Sequence, residues 1–281
     1  MHMLLVSAAL AAASPAAPVT LDAPAAAALA PKTRADQTPA MFVIHDADTV
    51  IYLFGTFHAL DGQSEWFDRG VRSAFNQSSE LILETLLPER RPNAAAVPPP
   101  APVYRNWPVN SSASFLSTTR LAIRAGRARG MQVDNGADMV LRRAAEATGK
   151  PVAGLETIES QLNLFTRMPA MTVAETRPAG GTAASGPTMD DLSAAIGEMQ
   201  SAWKRGDQTI FVRMLDELRR TSPDTYRKLF AERNSRWADW VGARMDTPGT
   251  VFVAVGAGHL AGSDSLLVRL AEMGIASARV D

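Results

Sequence analysis

"VFVAVGAGHL", residues 251–260, is an apolar run of strand length that ends at Gly256 and is followed three residues later by His259. A continuous apolar run bounded by glycine reads as a strand buried on both faces of a sheet. "YLFGTFHAL", residues 52–60, repeats the pattern near the other end, with Gly55 and then His58. The chain holds four histidines in 281 residues, and two of them occupy this one pattern. In open α/β sheets ligands bind beyond the carboxyl ends of strands, and glycine there lets the backbone turn tightly or approach a ligand. The pair therefore predicts one sheet that brings 52–58 and 251–259 together. Taken alone, each turn could equally hold a histidine packed in a loop and bonded to backbone.

Working outward, "MFVIHDADTVIYLFGTF" (41–57) reads as strands 41–45 and 50–54 around an Asp-Ala-Asp turn. "ELILETL" (80–86), "PVAGLE" (151–156) and "ASARV" (276–280) read as further short strands. Phe67, Val71 and Phe75 predict a helix over 64–77 with Ser64 as its N-cap. Other helices are expected at 112–128, at 136–148 (closed by Gly149), from Thr157 onward, at 189–204, 207–220 and 263–273. One more, over 223–245, has Ser222 as cap and Pro223 at its first position. Ala/Pro-rich stretches at 14–39 and around 92–102, and the Gly/Ala/Ser break at 177–187, read as linkers or exposed excursions. The expected fold is α/β: a mixed central sheet built from the N- and C-terminal thirds, with a mainly helical middle insertion. Residues 1–39 read as a signal-like segment and linker, and 40–281 as a single domain.

Composition narrows the function classes. With 28 basic and 29 acidic residues interspersed, no basic stripe would attract a polyanion, so nucleic acid is not an expected partner. The absence of cysteine excludes disulfides and a thiol nucleophile. The apolar run from Leu4 to Ala13, followed by small residues, has the anatomy of a secretory signal and implies a periplasmic or secreted protein. The usual basic segment is missing, since no Lys or Arg precedes Lys32. Either translation starts upstream or the segment is an Ala-rich tail, and the signal is the favoured reading. No later apolar run approaches the roughly 20 residues that span a bilayer, so no membrane span is expected after signal removal.

Two carboxylates and one guanidinium are further candidates. Glu84 interrupts an apolar strand, where a charge is unfavourable unless paired or ligated. Glu156 ends "VAGLE" just where a helix begins, a place where an acid is also ordinary. Arg233 falls on the apolar stripe of Tyr226, Phe230, Trp237 and Trp240. From there it either snorkels to solvent or holds a carboxylate or oxyanion with its planar fork.

"YLFGTFHAL", "LILETL", "GLETIESQLNLF", "AWKRGD", "ERNSRWA" and "VAVGAGHLAGSDSLLVRLAEMG", in this order over residues 40–281, resemble the TraB/GumN family. That family is related to Tiki metalloproteases and more distantly to erythromycin-esterase-like and ChaN-like proteins. The resemblance implies an α/β fold whose first and last thirds share a sheet. Its paired G-x-x-H motifs fall on Gly55–His58 and Gly256–His259, and its strand glutamate on Glu84. Gly154, Leu155, Glu156, Gln161, Arg233 and Asn234 fall on further recurrent positions. The insertion at 92–102 and the break near 180 depart from the pattern, and Tiki proteins are membrane-anchored, which this chain is not expected to be.

Tiki-like members imply a divalent-metal-dependent peptidase. His58, His259 and Glu84 would then hold Mn²⁺, Co²⁺ or Zn²⁺ and activate a water, with Glu156 or Glu84 moving its proton and Arg233 steadying the oxyanion. The esterase relatives imply instead a metal-free hydrolase with His58 as base and Glu84 orienting it. The ChaN-like relatives imply an envelope protein that binds haem, a metal or a small ligand without catalysis. A metal-dependent, peptidase-like hydrolase acting on a peptide or small molecule is the leading expectation.

Overall fold

A computed structural model describes residues 38–63, 65–67, 69–86, 121–166 and 188–280. Six strands make one mixed sheet: β1 (Met41–His45), β2 (Thr49–Thr56), β3 (Glu80–Thr85), β4 (Val152–Glu156), β5 (Gly249–Gly256) and β6 (Ala278–Val280). Their order is β4-β3-β5-β2-β1-β6. β1 and β2 form the antiparallel pair expected around the Asp-Ala-Asp turn, with Met41 opposite Phe54. Asp46 closes that turn by accepting the Thr49 N–H at 2.8 Å. β4, β3, β5 and β2 run parallel, and in register Thr56 lies beside Gly256, Leu83 beside Ala254, and Thr85 beside Glu156. β5, from the C-terminal third, thus inserts between β3 and β2 from the start of the domain. β4, from the middle of the chain, joins as an edge beside β3.

The strict alternation of β5 shows how both faces are covered. Phe252 and Ala254 join one apolar cluster with Phe54, Phe75, Leu81, Leu141 and Trp203. Val251, Val253 and Val255 join the other with Ile51, Leu53, Trp237, Val241 and Leu270. Every β5 side chain from Val251 to Val255 is 1% exposed or less, which explains an apolar run without polar interruption. Truncating a core ring such as Phe252 would cost about 3–5 kcal/mol.

The first face is covered by α1 (Arg69–Gln77), α3 (Ala137–Thr148), α5 (Met189–Lys204) and α6 (Thr209–Thr221), the second by α8 (Glu232–Met245) and α9 (Leu266–Glu272). A further helical segment, α2, covers 121–127, and α4 (Ile158–Thr166) follows β4. Local chemistry sets several of these ends. Gly149 closes α3 at φ 68°, a left-handed conformation that glycine adopts without penalty. Thr188 and Asp191 form a reciprocal capping box at the start of α5. Trp203 of "AWKRGD" locks α5 to the sheet by donating its indole N–H to the Gly55 carbonyl at 2.7 Å.

Several expectations differ in detail. The helix over 64–77 begins at Arg69, and Ser64 lies outside the described residues. The helix 263–273 is shorter, because Ala257–Leu260 forms a 3₁₀ turn and Ser265 caps a helix that starts at Leu266. The helix over 223–245 has Pro223 at its first position, but the Ser222 side chain makes no capping bond. It divides into α7 (Pro223–Tyr226), a π-helical turn (Arg227–Ala231) and α8. The expected signal segment, the 92–102 insertion, the 177–187 break and the start of the helix expected at 112–128 lie outside the described residues. No described helix is long and apolar enough to cross a membrane.

Candidate functional site

The four parallel strands end in a row. Across the sheet from its β4 edge, their carboxyl ends deliver Glu156, Glu84, the Gly256–His259 turn and the Thr56–His58 turn. Hydrogen-bonded strands lie about 4.8 Å apart, so neighbouring side chains reach one another, and the two G-x-x-H turns become one site. A Cβ on Gly55 would meet Ala257 Cα at 3.2 Å, so the turns pack backbone to backbone. At Gly256 a Cβ would stand 3.1 Å from Glu84 Oε1 and 3.3 Å from His58 Nε2. Glycine there keeps open the point on which both groups converge.

Arg233 joins the row from the second face of the sheet. It is 5% exposed and donates through Nε to both oxygens of Glu156 at 3.0 and 3.1 Å. Its Nη2 donates to Glu84 Oε2 at 2.9 Å, and its Nη1 lies 3.1 Å from His259 Nε2. Of the two readings of this arginine, pointing into a polar site is the one realised. Its guanidinium also stacks 4.5 Å above the Trp237 ring. The π-helical turn just before α8, of a kind often found at functional sites, supplies the Leu229 carbonyl that Nη1 also approaches, at 3.4 Å. Glu156 is therefore held by Arg233, with Arg236 at 3.3 Å, rather than serving only to begin a helix.

The two histidines differ in every other respect. His259 is buried between Phe230 and Trp237, with ring centroids 4.9 and 4.4 Å away. Its Nδ1 faces Asn234 Oδ1 at 2.6 Å, and the Asn234 amide donates to the Asp264 carbonyl at 2.7 Å. That bond fixes the oxygen of Asn234 toward the ring, so Nδ1 carries the proton and Nε2 offers its lone pair to Arg233. Burial, assisted by the charges of Arg233 and His58 and opposed by Glu84, pushes the imidazole down to about 3. It is neutral at neutral pH.

His58 opens onto the cleft with 62% of its side chain accessible, and its Nδ1 meets Asp138 Oδ1 at 3.2 Å. Packing around the ring opposes its charge, but the hydrogen bond and charge of Asp138, with Glu84 beyond, reverse this and raise it to about 9. Water in the cleft screens the charge interactions, and the Asp138 bond carries the upward direction. Asp138 reaches His58 because Gly136 lets the start of α3 approach: a Cβ there would stand 2.3 Å from the His58 carbonyl. The Ala137 N–H donates to the Phe57 carbonyl at 3.0 Å. Sequence reasoning gave the orienting role to Glu84 and missed Asp138.

Glu84 accepts the Gly256 N–H at 2.6 Å through Oε1. Burial drives its carboxyl up, but positive charge from His259 when protonated, from Arg233 and from His58, with the Gly256 N–H, brings it down to about 2. Because His259 is neutral at neutral pH, Arg233, His58 and that N–H keep Glu84 ionised there.

The expected metal set of His58, His259 and Glu84 is brought together, but one of its donors, His259 Nε2, is engaged by Arg233. A metal needs an imidazole nitrogen whose single lone pair is free, whereas a carboxylate oxygen that accepts one hydrogen bond keeps a further lone pair. Arg233 takes the His259 Nε2 lone pair and Glu84 Oε2, while Gly256 takes Glu84 Oε1. Among the described residues no group of three or more His, Cys, Asp or Glu is arranged to hold a metal ion. As arranged, the cation between Glu84 and His259 is a guanidinium, and His259 Nε2 has no lone pair left for a metal ion.

In front of the row lies a cleft of about 700 Å³, with His58, Glu84, Gln161, Arg233 and His259 at its polar end. Such a volume lies within the range of small-molecule sites. No curated protein and no solved structure matches the chain. The paired glycine–histidine turns, the strand glutamates, the arginine and the sheet up to Arg279 fall within residues 40–99 and 105–279, which match the TraB/PrgY/gumN family model, and the chain belongs to that family.

Proposed function

We propose that this protein is a hydrolase of acyl bonds in which His58, oriented by Asp138, moves the proton and a guanidinium occupies the place a metal would take. The observation that carries this reading is Arg233, whose donors bond Glu84 Oε2 and take the single Nε2 lone pair of His259. His58 Nε2 is left facing the cleft with no hydrogen-bond partner among the described residues. A histidine whose far nitrogen is bonded to a carboxylate is suited to general acid–base work, because one tautomer is fixed and the imidazolium is stabilised.

Neutral His58 takes a proton at Nε2 from a water near Gly256 while Nδ1–H stays on Asp138. The water oxygen attacks the acyl carbonyl carbon, and the bond to the leaving oxygen or nitrogen breaks. His58 returns the proton to the leaving group, so the products are an acid and an alcohol or amine. Glu84, held ionised, stabilises the imidazolium that forms, and Arg233 fixes Glu84. The neutral ring of His259 holds Nη1 of Arg233 without adding charge to the site.

A metal-dependent peptidase is the second reading, favoured by the convergence of His58 Nε2 and Glu84 Oε1 beside Gly256. It requires Arg233 to release Glu84 and His259. The signal-like N-terminus supports a location in the cell envelope for either enzyme. The test measures kcat/KM on ester and amide panels with chelated protein and with Mn²⁺, Co²⁺ or Zn²⁺ restored. Activity that survives chelation and disappears in His58→Ala supports the metal-free mechanism. Activity lost on chelation and restored by a divalent ion replaces it with the second reading.

A further inference from the structure

The polar row occupies only one end of the cleft. Beyond it the wall is built by Ile123, Met131, Ile196, Met199, Met214 and Phe230, contributed by α2, the segment after it, α5, α6 and the π-helical turn. The exposed large hydrophobics of the described residues are Leu121, Ile123, Val133, Met214 and Met273, and three of these five line this cleft. Apolar surface left open beside a polar centre marks a ligand-binding groove. Outside the polar end, the charged side chain on the lining is Arg127, which is exposed.

The chemistry of the wall restricts what can lie against it. An extended peptide main chain brings an N–H and a C=O per residue, and each loses a hydrogen-bond partner when buried against such side chains. A hydrocarbon chain loses nothing. Three methionines on the wall (Met131, Met199 and Met214) have unbranched, flexible side chains that adapt to chains of different length. Resting on the acyl-hydrolase reading, we infer that the cleft holds the hydrocarbon tail of the acyl group, so the substrates are medium-chain acyl esters or amides, with the carbonyl at His58 and the tail along Met199, Met214 and Phe230.

The test is a series of p-nitrophenyl esters from butanoate to octanoate. Each buried methylene is worth about 0.8 kcal/mol, so kcat/KM should rise about fourfold per carbon. In Met214→Lys the ratio of octanoate to butanoate activity should collapse toward one. Because this ratio is taken within one protein sample, it does not depend on how much of the variant is folded. A flat or falling series in the wild type, faster turnover of peptides than of any ester, or an unchanged ratio in Met214→Lys would each overturn the inference while leaving a hydrolase. If nothing is turned over, the hydrolase reading fails by itself. Calorimetry with 1-butanol, 1-hexanol and 1-octanol then decides the cleft separately. Affinity rising about fourfold per carbon, and lost in Met214→Lys, supports the tail site, and no dependence on length overturns it.

Discussion

His58 and His259 sit at the ends of adjacent parallel strands in the same sequence pattern, yet their surroundings shift their protonation in opposite directions. One is open to the cleft, backed by the carboxylate of Asp138 and raised to about 9. The other is enclosed by two aromatic rings, backed by the amide of Asn234 and lowered to about 3. The strand-and-glycine turn fixes where each imidazole emerges. Its protonation is fixed by what the helices bring: α3 delivers an acid to one, and α8 delivers a cation and a neutral amide to the other. A repeated motif therefore predicts position and leaves chemical role to the elements packed over it.

The most severe way to break the contrast is to remove the cation between the two acids. Arg233→Ala leaves Glu84 and Glu156 buried without their common partner, and breaking a buried ion pair from one side costs about 3–5 kcal/mol. Denaturant unfolding should show a loss of that size, and Arg233→Lys should recover only part of it, because an ammonium cannot reproduce the fork. A variant of wild-type stability would mean that the row of contacts is not formed in solution.

Next in size is the effect of His58 on rate. His58→Ala should lower kcat/KM by about 10²–10⁴-fold, the usual range for a general acid–base group, with little change in unfolding midpoint because the ring is exposed. In the wild type the basic form is about 1% of the total at pH 7 if the ring titrates near 9, so the rate should rise with pH up to that value. Asp138→Asn removes the charge that raises the ring and should move both the NMR titration of His58 and the limb of the rate profile to lower pH. A profile that stays in place would detach Asp138 from the mechanism.

What could be read from the sequence follows the same division. β5 was legible because an apolar run without a polar break needs two covered faces, and Glu84 because a charge inside such a strand needs a partner. Arg233 was legible as a position, three residues after Phe230 and four before Trp237, but not as a role. Its partners lie 77 and 149 residues away, and local spacing carries no trace of them. The π-helical turn left no mark on the 4-3-4-3 spacing of Tyr226, Phe230, Arg233, Trp237 and Trp240. Asp138 was hidden by ordinariness, since an acid in the first turn of a helix needs no further reason. Gly136, two residues earlier, was the one available hint, because it meets the His58 carbonyl by close approach without a left-handed backbone. The insertion of β5 between β2 and β3 also could not be read, because strand order depends on pairings that periodicity does not encode.

A smaller effect sharpens the contrast at the second histidine. Asn234→Asp places a carboxylate against Nδ1–H of His259 and favours the imidazolium, so the ring should titrate above 3 while His58 is little affected. Histidine ring NMR read across pH separates the two. Movement of His58 alone would mean that the amide does not set the state of His259.

The smallest effect is also the most direct comparison of the two rings, because it needs only stability against pH. His58 titrates higher in the folded chain than its ordinary 6.5, so its stabilisation is complete below that value and is lost as pH rises through about 9. His259 titrates lower, so the unfolded chain gains a proton that the folded one refuses. Its contribution is complete above 6.5 and is lost as pH falls toward 3. Replacing each with glutamine should give opposite trends: His58→Gln gains on the wild type as pH rises from 6.5 to 9, and His259→Gln gains as pH falls from 6.5 toward 3. Solvent screening at the exposed His58 makes its slope the shallower of the two. Glu84 loses its own contribution only below its ordinary 4.5, so the interval between pH 6.5 and 4.5 isolates His259. Parallel slopes for the two variants would mean that both histidines share one environment, as the sequence pattern alone suggests, and that the helices do not set them apart.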